Sequence, residues 1–464
     1  MTYRQLPKTM YTDIHPTPVK APELVVFNDE LAAELGLDTT LWKHADLLAG
    51  NVVPEGFTPI AQAYLGHQFG YPAMLGDGRA ILLTEILTPD GETFDIQLKG
   101  SGRTPYSRRG DGRAAIGPML REYLISEAMH ALRVPTSRSL AVVLTGEPVY
   151  RERALPGAIL TRVASSHLRV GTLQYARTQD VVKEVADYAI SRHDPLCAQE
   201  SEPYLCFFQE VLKRQAKLIA RWQALGFIHG VMNTDNMALS GETIDYGPCA
   251  FMDTYRSDQV FSSIDQTGRY RYANQPPIAK WNLARMADAL IPLIDQEEEQ
   301  AIERLLEVLN TFEDHYHGAW RQAFGDKLGL KNVSTEDDIL IKRFLSLLEN
   351  EEKDFTNTFI ELSDNPVHSV FSGEEGHNWH RKWIEQIEKD GSFEKAKDRM
   401  LRANPRVIPR NAMVEEVLQQ AHRGDIQPFL EMLKVLKDPF AKDIPEKYMK
   451  PADKDTDYVT YCGT

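Results

Sequence analysis

The spacing of apolar residues changes once along this chain of 464 residues, near residue 175. Before that point the pattern is strand-like. Ala80–Leu87 is a continuous β-compatible run, and Thr88-Pro89-Asp90-Gly91 is a turn. In the run that follows, Phe94, Ile96 and Leu98 alternate with Asp95, Gln97 and Lys99. A hairpin is predicted, with Lys99 pointing away from the core side of its strand. A helix is predicted from about 118 to 133, since Pro118 suits a first helical turn and Val134-Pro135 ends one. Strands follow at 140–144 and 158–163. After residue 175 the spacing is helical. Helices are predicted at 181–190 and 206–225, the second stopped by Gly226. Leu283, Met286, Leu290 and Leu293, then Ile302, Leu305, Leu306 and Leu309, recur at helical intervals. Between them lie a loop at 227–236 and a short hairpin, 237–239 and 243–245 about Ser240-Gly241. The expectation is an α+β chain that divides into a β-rich part, 1–175, and a helical part, 176–464.

Composition excludes several classes. The 67 acidic against 52 basic residues give a net charge of −15. That balance argues against a nucleic-acid partner held by phosphate contacts and against an anionic membrane surface. No apolar run approaches the roughly 20 residues that span a bilayer. The first 20 residues lack the apolar core of a signal peptide. Four cysteines without CxxC spacing point to a reducing compartment rather than to a zinc site. A cytoplasmic protein is expected. One segment, 97–113, reverses the charge: five cations and one acid make it +4, which leaves −19 for the rest.

Chemistry-bearing residues fall in a telling order. Gly76-Asp77-Gly78-Arg79 precedes a strand, and two glycines at that spacing let backbone approach a phosphate. A plain β-turn has the same sequence. Lys99 ends its strand and Glu122 lies 23 residues on, in a helix. Protein kinases hold nucleotide phosphates with such a pair, although a surface lysine and an unrelated glutamate would read alike. The loop His229-Gly230-Val231-Met232-Asn233-Thr234-Asp235-Asn236 and the later Asp245-Tyr246-Gly247 superpose on the kinase H-R-D-x-x-x-x-N and D-F-G. Asn236 and Asp245 then take the metal-ligand places, as hard oxygens suited to Mg²⁺; a turn and a helix cap are the plainer alternatives. Five features in kinase order favour a kinase-like nucleotide fold. Val231 stands where a kinase keeps its aspartate base, and it cannot accept a proton. Asp235 is the remaining carboxylate there.

Tyr64-Leu65-Gly66-His67-Gln68-Phe69-Gly70, the run 97–113, Arg121-Glu122-Tyr123, the 229–237 loop and Asp245-Tyr246-Gly247-Pro248 resemble the selenoprotein O (YdiU) family over nearly the whole chain. The resemblance implies a protein-kinase-like bilobal fold, with a β-rich N-lobe and a mostly helical C-lobe carrying a helical C-terminal extension. It implies transfer of AMP from ATP, or of UMP from UTP, to Ser, Thr or Tyr hydroxyls of target proteins, with Mg²⁺ or Mn²⁺. By position it implies nucleotide contacts at Gly76, Gly78, Arg79, Lys99, Asp111, Gly112, Arg162, Arg169 and Asp245. It further implies a general base at Asp235, metal ligands at Asn236 and Asp245, and a structural pair of Glu122 with Lys99. Lys99, Arg162 and Arg169 would stabilise charge on a pyrophosphate leaving group. A monomeric bacterial cytoplasmic enzyme is expected, with a kinase-like phosphotransferase or a non-catalytic ATP-binding pseudokinase as the alternatives. The family places a cysteine third from the C-terminus, here Cys462, and in some members pairs it with a position that aligns with Phe261. Cys249 is the nearby substitute, and a free tail thiol is the simpler expectation. Cys197 and Cys206 read as core cysteines.

Overall fold

The computed structural model describes every residue except 390, 453–457 and 462–464. Cys462 therefore lies outside the described residues. The architecture is mixed α/β: a β-sheet formed within the first 164 residues, then a run of helices. The sheet runs Tyr11–Asp13, Ile60–Gln62, Ala80–Leu87, Thr93–Lys99, Ala154–Ala164, Arg138–Tyr150, Glu23–Phe27, and Ala114–Ala115 pairs with Ala154–Ala164. All pairings are antiparallel. The hairpin at 88–91 forms as its sequence predicts, with Gly91 supplying a positive φ of 85°.

Strand register sets up the site. Lys99 lies opposite Leu160, and Gln97 opposite Arg162. Directly opposed residues share a face of an antiparallel pair, so Asp95, Gln97, Lys99 and Arg162 line one side. Ile96, Leu98, Ile159 and Val163 line the other, where they pack on Leu31, Trp42 and Leu48 of three short helices. Lys99 points away from this apolar side, as its strand alternation predicts, but the polar side is not solvated. Gln97 is 0% exposed and Lys99 6%, because the helix Ile116–Ala131 and the chain after it cover them.

The helix Pro203–Leu225 is the spine of the remainder. It buries Phe207, Phe208, Val211 and Leu212 and packs against Gln275–Ile294 and Phe312–Lys327. Gly226 ends it in the left-handed conformation, as predicted. In Glu298–Leu309 the buried stripe is Ala301, Leu305 and Leu309, and Ile302 and Leu306 are exposed, so the apolar face is narrower than the sequence suggests.

Two local expectations are corrected. Cys197 and Cys206 are not free core cysteines but form a disulfide between the turn Pro195–Gln199 and the spine helix. The predicted hairpin at 237–245 does not form. Its two arms pair with different strands of chain: Ala238 bridges Arg169 and Thr243 bridges Thr136. The Leu239 N–H donates to the Leu168 carbonyl and the Thr243 N–H to the Pro135 carbonyl. Backbone groups buried here need partners, and the neighbouring segments supply them better than a two-residue turn.

Candidate active site

Lys99 Nζ donates to Glu122 Oε2 and to Asp245 Oδ1, each at 2.5 Å. Arg162 donates to Asp245 Oδ1 at 2.7 Å, to Glu122 Oε1 at 3.2 Å and to Gln97 Oε1 at 2.6 Å. Two cations thus share two carboxylates in a buried square. Arg169 stands at its edge, 3.9 Å from Asp245 and 3.9 Å from Asp77. Its guanidinium lies 4.4 Å from the centre of the Tyr64 ring, and its Nε has no partner among the described residues. Burial pushes the Asp245 carboxyl up, but Lys99, Arg162 and Arg169 outweigh it and hold the group well below the usual carboxylate range. Asp245 also has a φ of +65°, a conformation that Asp and Asn tolerate better than most residues.

The loop that carries Asp235 is fixed from both sides. His229 is fully buried; its Nε2 meets the Ile244 carbonyl at 2.9 Å and its Nδ1 accepts the Val231 N–H at 3.4 Å. That geometry assigns the neutral Nε2–H tautomer, and burial lowers its pKa accordingly. From the other side, the hairpin Leu65–Gln68/Tyr71–Met74 sends the His67 N–H to Thr234 Oγ1 at 2.8 Å and the Phe69 N–H to Asn233 Oδ1 at 3.2 Å. At Gly66 any Cβ would strike the Asp235 carboxylate. Asp235 itself sits in the turn Thr234–Asn236 with Oδ1 buried and unpartnered. Burial raises its pKa to about 6, with Arg169 opposing.

Gly76 has a φ of +113°, and a Cβ there would meet the Tyr106 ring at 2.6 Å. The Gly76–Gly78 turn packs under the loop at 104–107, held by Thr104 Oγ1 donating to the Asp77 carbonyl at 2.6 Å and by a bond from Ser107 Oγ to the Gly78 carbonyl. Asp111 at the rim pairs with Arg151 at 2.9 Å. All twelve residues singled out from the sequence, Gly76, Gly78, Arg79, Lys99, Asp111, Gly112, Glu122, Arg162, Arg169, Asp235, Asn236 and Asp245, line one cleft of about 450 Å³.

No group of three or more His, Cys, Asp or Glu side chains that would hold a metal occurs among the described residues. The donor set nevertheless fits a hard cation bound chiefly through phosphates. Asn236 Nδ2 donates to the Val231 carbonyl at 3.0 Å, which leaves Oδ1 as the amide atom outside that bond. Beside it stand the Asp245 carboxylate and the orphaned Asp235 oxygen, and Mg²⁺ asks for few protein oxygens when phosphates and water complete its shell.

A family model described as "Protein adenylyltransferase SelO" matches residues 1–437. The chain belongs to the SelO family. Three curated relatives carry the name "Protein nucleotidyltransferase YdiU". The protein of Clostridium beijerinckii is 53% identical, with 100% of this chain and 97% of the relative covered. That of Halalkalibacterium halodurans is 53% identical, covering 100% and 96%. That of Anoxybacillus flavithermus is 54% identical, covering 100% and 98%.

Several residues of the cleft escape a reading of motifs. Asp77 is 1% exposed and accepts from the Gln62 N–H at 3.0 Å and Gln97 Nε2 at 3.2 Å. Its place between two glycines was the available signal. Tyr64, under Arg169, opens the motif 64–70 but has no chemistry that marks it in sequence. Gln97 was legible only through strand alternation. Of the cations in 97–113, Lys99 alone is buried. Arg103, Arg108 and Arg109 are exposed, and Arg113 donates to the Thr17 and Pro18 carbonyls.

Proposed function

We propose that this chain is a protein nucleotidyltransferase that moves AMP from ATP to a Ser, Thr or Tyr hydroxyl of another protein, with UTP as the alternative donor. The observation that carries the proposal is the Asp235 carboxylate, with its buried Oδ1 unpartnered and a pKa of about 6, in one cleft with the Lys99, Arg162 and Arg169 cations. A base near neutrality is the form suited to accepting a hydroxyl proton. Family membership and the name of the curated relatives support the same class of chemistry.

In this proposal Asp235 takes the acceptor proton as the hydroxyl oxygen bonds to the α-phosphorus. The α–β anhydride bond breaks and its electron pair leaves with pyrophosphate. Lys99 and Arg162 exchange carboxylate partners for phosphate oxygens, and Arg169 joins them, so that charge on the leaving group meets fixed cations. Gly76, Gly78, Arg79, Asp111 and Gly112 bound the phosphates from the turn and loop side. Asn236 and Asp245 would hold Mg²⁺ or Mn²⁺, which when bound neutralises phosphate charge. Glu122 positions Lys99. The fold is proposed to be kinase-like and bilobal, with the lobes meeting near residue 175, in a cytoplasmic monomer that binds neither nucleic acid nor membrane. Among the described residues no helix is long and apolar enough to cross a membrane.

The test uses ATP labelled at the α or the γ phosphate, with Mg²⁺ and a mixture of acceptor proteins. Protein-bound label from the α position alone is expected. Label from the γ position alone would overturn nucleotidyl transfer in favour of phosphotransfer.

A further inference from the structure

A second concentration of positive charge lies outside the cleft. A cavity of about 430 Å³ is lined by Arg133, Arg221, Lys327, Arg399 and Arg402, with Asp326 as its one acid. None of the five cations forms a salt bridge among the described residues. Three spend donors on backbone carbonyls: Arg221 on Arg133 at 2.7 Å, Arg133 on Arg402 at 3.3 Å, and Arg399 on Gly329 at 2.9 and 2.6 Å. These bonds fix the guanidinium groups without neutralising them. Arg133 also lies 4.6 Å from the centre of the Phe440 ring.

Lys327 is the unusual member. It ends the helix Phe312–Lys327 and is 3% exposed, yet no carboxylate faces it. Its Nζ sits 4.1 Å from the centre of the Phe359 ring and 5.6 Å from that of Phe355. A buried ammonium without a counter-ion is costly, and such groups are normally paired. Burial lowers its pKa to about 7 and pushes up that of Asp326, against which Arg399 and Arg402 pull. The remaining walls, Leu132, Val134, Ala224, Leu225 and Phe440, are apolar and strengthen any ion contact made inside.

We propose that this cavity is a second anion site and that it takes a small oligophosphate, with pyrophosphate as the minimal ligand. Arg forks match phosphate oxygens two at a time, and several fixed cations around a small volume call for a ligand with several charges. The cavity wall joins the backbone that leads to the active site. Pro135, next to Val134, accepts from the Thr243 N–H at 2.9 Å. Trp222, next to Arg221, donates from Nε1 to Thr243 Oγ1 at 2.9 Å. Thr243 stands two residues before Asp245.

Pyrophosphate titrated calorimetrically into the full-length chain tests this, with Arg402→Gln and Lys327→Met as variants. The Arg402 side chain makes no hydrogen bond or salt bridge among the described residues, so its loss leaves the fold intact. Lys327→Met keeps the apolar stem and removes a desolvated charge. Each variant is expected to weaken one pyrophosphate site by about tenfold or more while its melting temperature holds. Arg169→Gln is expected to leave that site unchanged. ATP competing for the site identifies the phosphate tail of a nucleotide as a source, and failure to compete identifies the free anion. Unchanged pyrophosphate binding in both cavity variants would overturn the site, and inorganic phosphate binding as tightly as pyrophosphate would overturn the oligophosphate assignment.

Discussion

Asp235 is tuned by what it lacks. Its buried Oδ1 has no donor, and burial raises its pKa to about 6. The base proposed above would work only when deprotonated, so kcat/KM should rise with pH through about 6 and level off above it. A pH–rate profile without an acid limb in that region would remove Asp235 from the role. The same shift makes Asp235 a liability to the fold. Its native pKa exceeds the unfolded value, so its contribution to stability falls as pH rises from about 4 to about 6. Asp235→Asn should lower transfer by about 10²- to 10⁴-fold and raise stability near pH 7 by roughly 1–3 kcal/mol, read by thermal melting. Asp245 is the opposite case: Asp245→Asn keeps a residue that accepts positive φ, and should abolish transfer while the chain stays folded. Lys99, Glu122, Asn236 and Asp245 were legible because their order and spacing are explicit in the sequence, whereas Arg162 and Arg169 entered only through the family resemblance. Tyr64 was not, since an aromatic under a guanidinium looks like any other core aromatic until the fold brings Arg169 over it.

At the scale of elements, alternation in Thr93–Lys99 and the helix Ile116–Ala131, which stops before Val134-Pro135, were readable because each is decided by local sequence. The 237–245 segment was misread because its backbone partners, Leu168 for Leu239 and Pro135 for Thr243, lie far back along the chain and cannot be seen locally. The polar face of the Lys99 strand was placed correctly, but its burial could not be read locally, since the cover arrives from another part of the chain. The hairpin Leu65–Gln68/Tyr71–Met74 shows what such docking does. Gly66→Ala would push a methyl into the Asp235 carboxylate, and should reduce transfer about 10²-fold with little change in melting temperature, since small displacements of a positioned group are that costly. Wild-type activity in Gly66→Ala would show that the hairpin does not set the position of the base. Glu122 belongs to the helix. Glu122→Gln leaves Lys99 and Arg162 with Asp245 as their one shared carboxylate, and should cost about 3–5 kcal/mol, as for other broken buried pairs, measured by denaturant unfolding.

Across the whole molecule, net charge was read correctly as an acidic background of −15 with a local exception. The exception proved to be spread differently. Lys99 is joined by Arg162 and Arg169 from elsewhere in the chain, and a second basic concentration surrounds Lys327. Acid stability follows from buried carboxylates held low. Burial opposes ionisation of Asp95, but His167 and Arg192 keep its pKa lowered, as Lys99 does for Asp245. Groups with a depressed native pKa stabilise above their unfolded value and lose that contribution as pH falls. Unfolding free energy should therefore decline steeply below about pH 4, and a flat profile there would contradict the paired assignment.

The crossed pairing of 237–245 has a mechanical consequence. Residues on the Asp245 segment are laced to 135–137 on one side and to 168–170 on the other by backbone hydrogen bonds in both directions. A jaw cannot swing where its hinge is sewn to both plates. If a nucleotide enters as proposed, opening should fall to the exposed tip of the loop at 108–111 while the floor of the cleft holds, a split that hydrogen exchange would read.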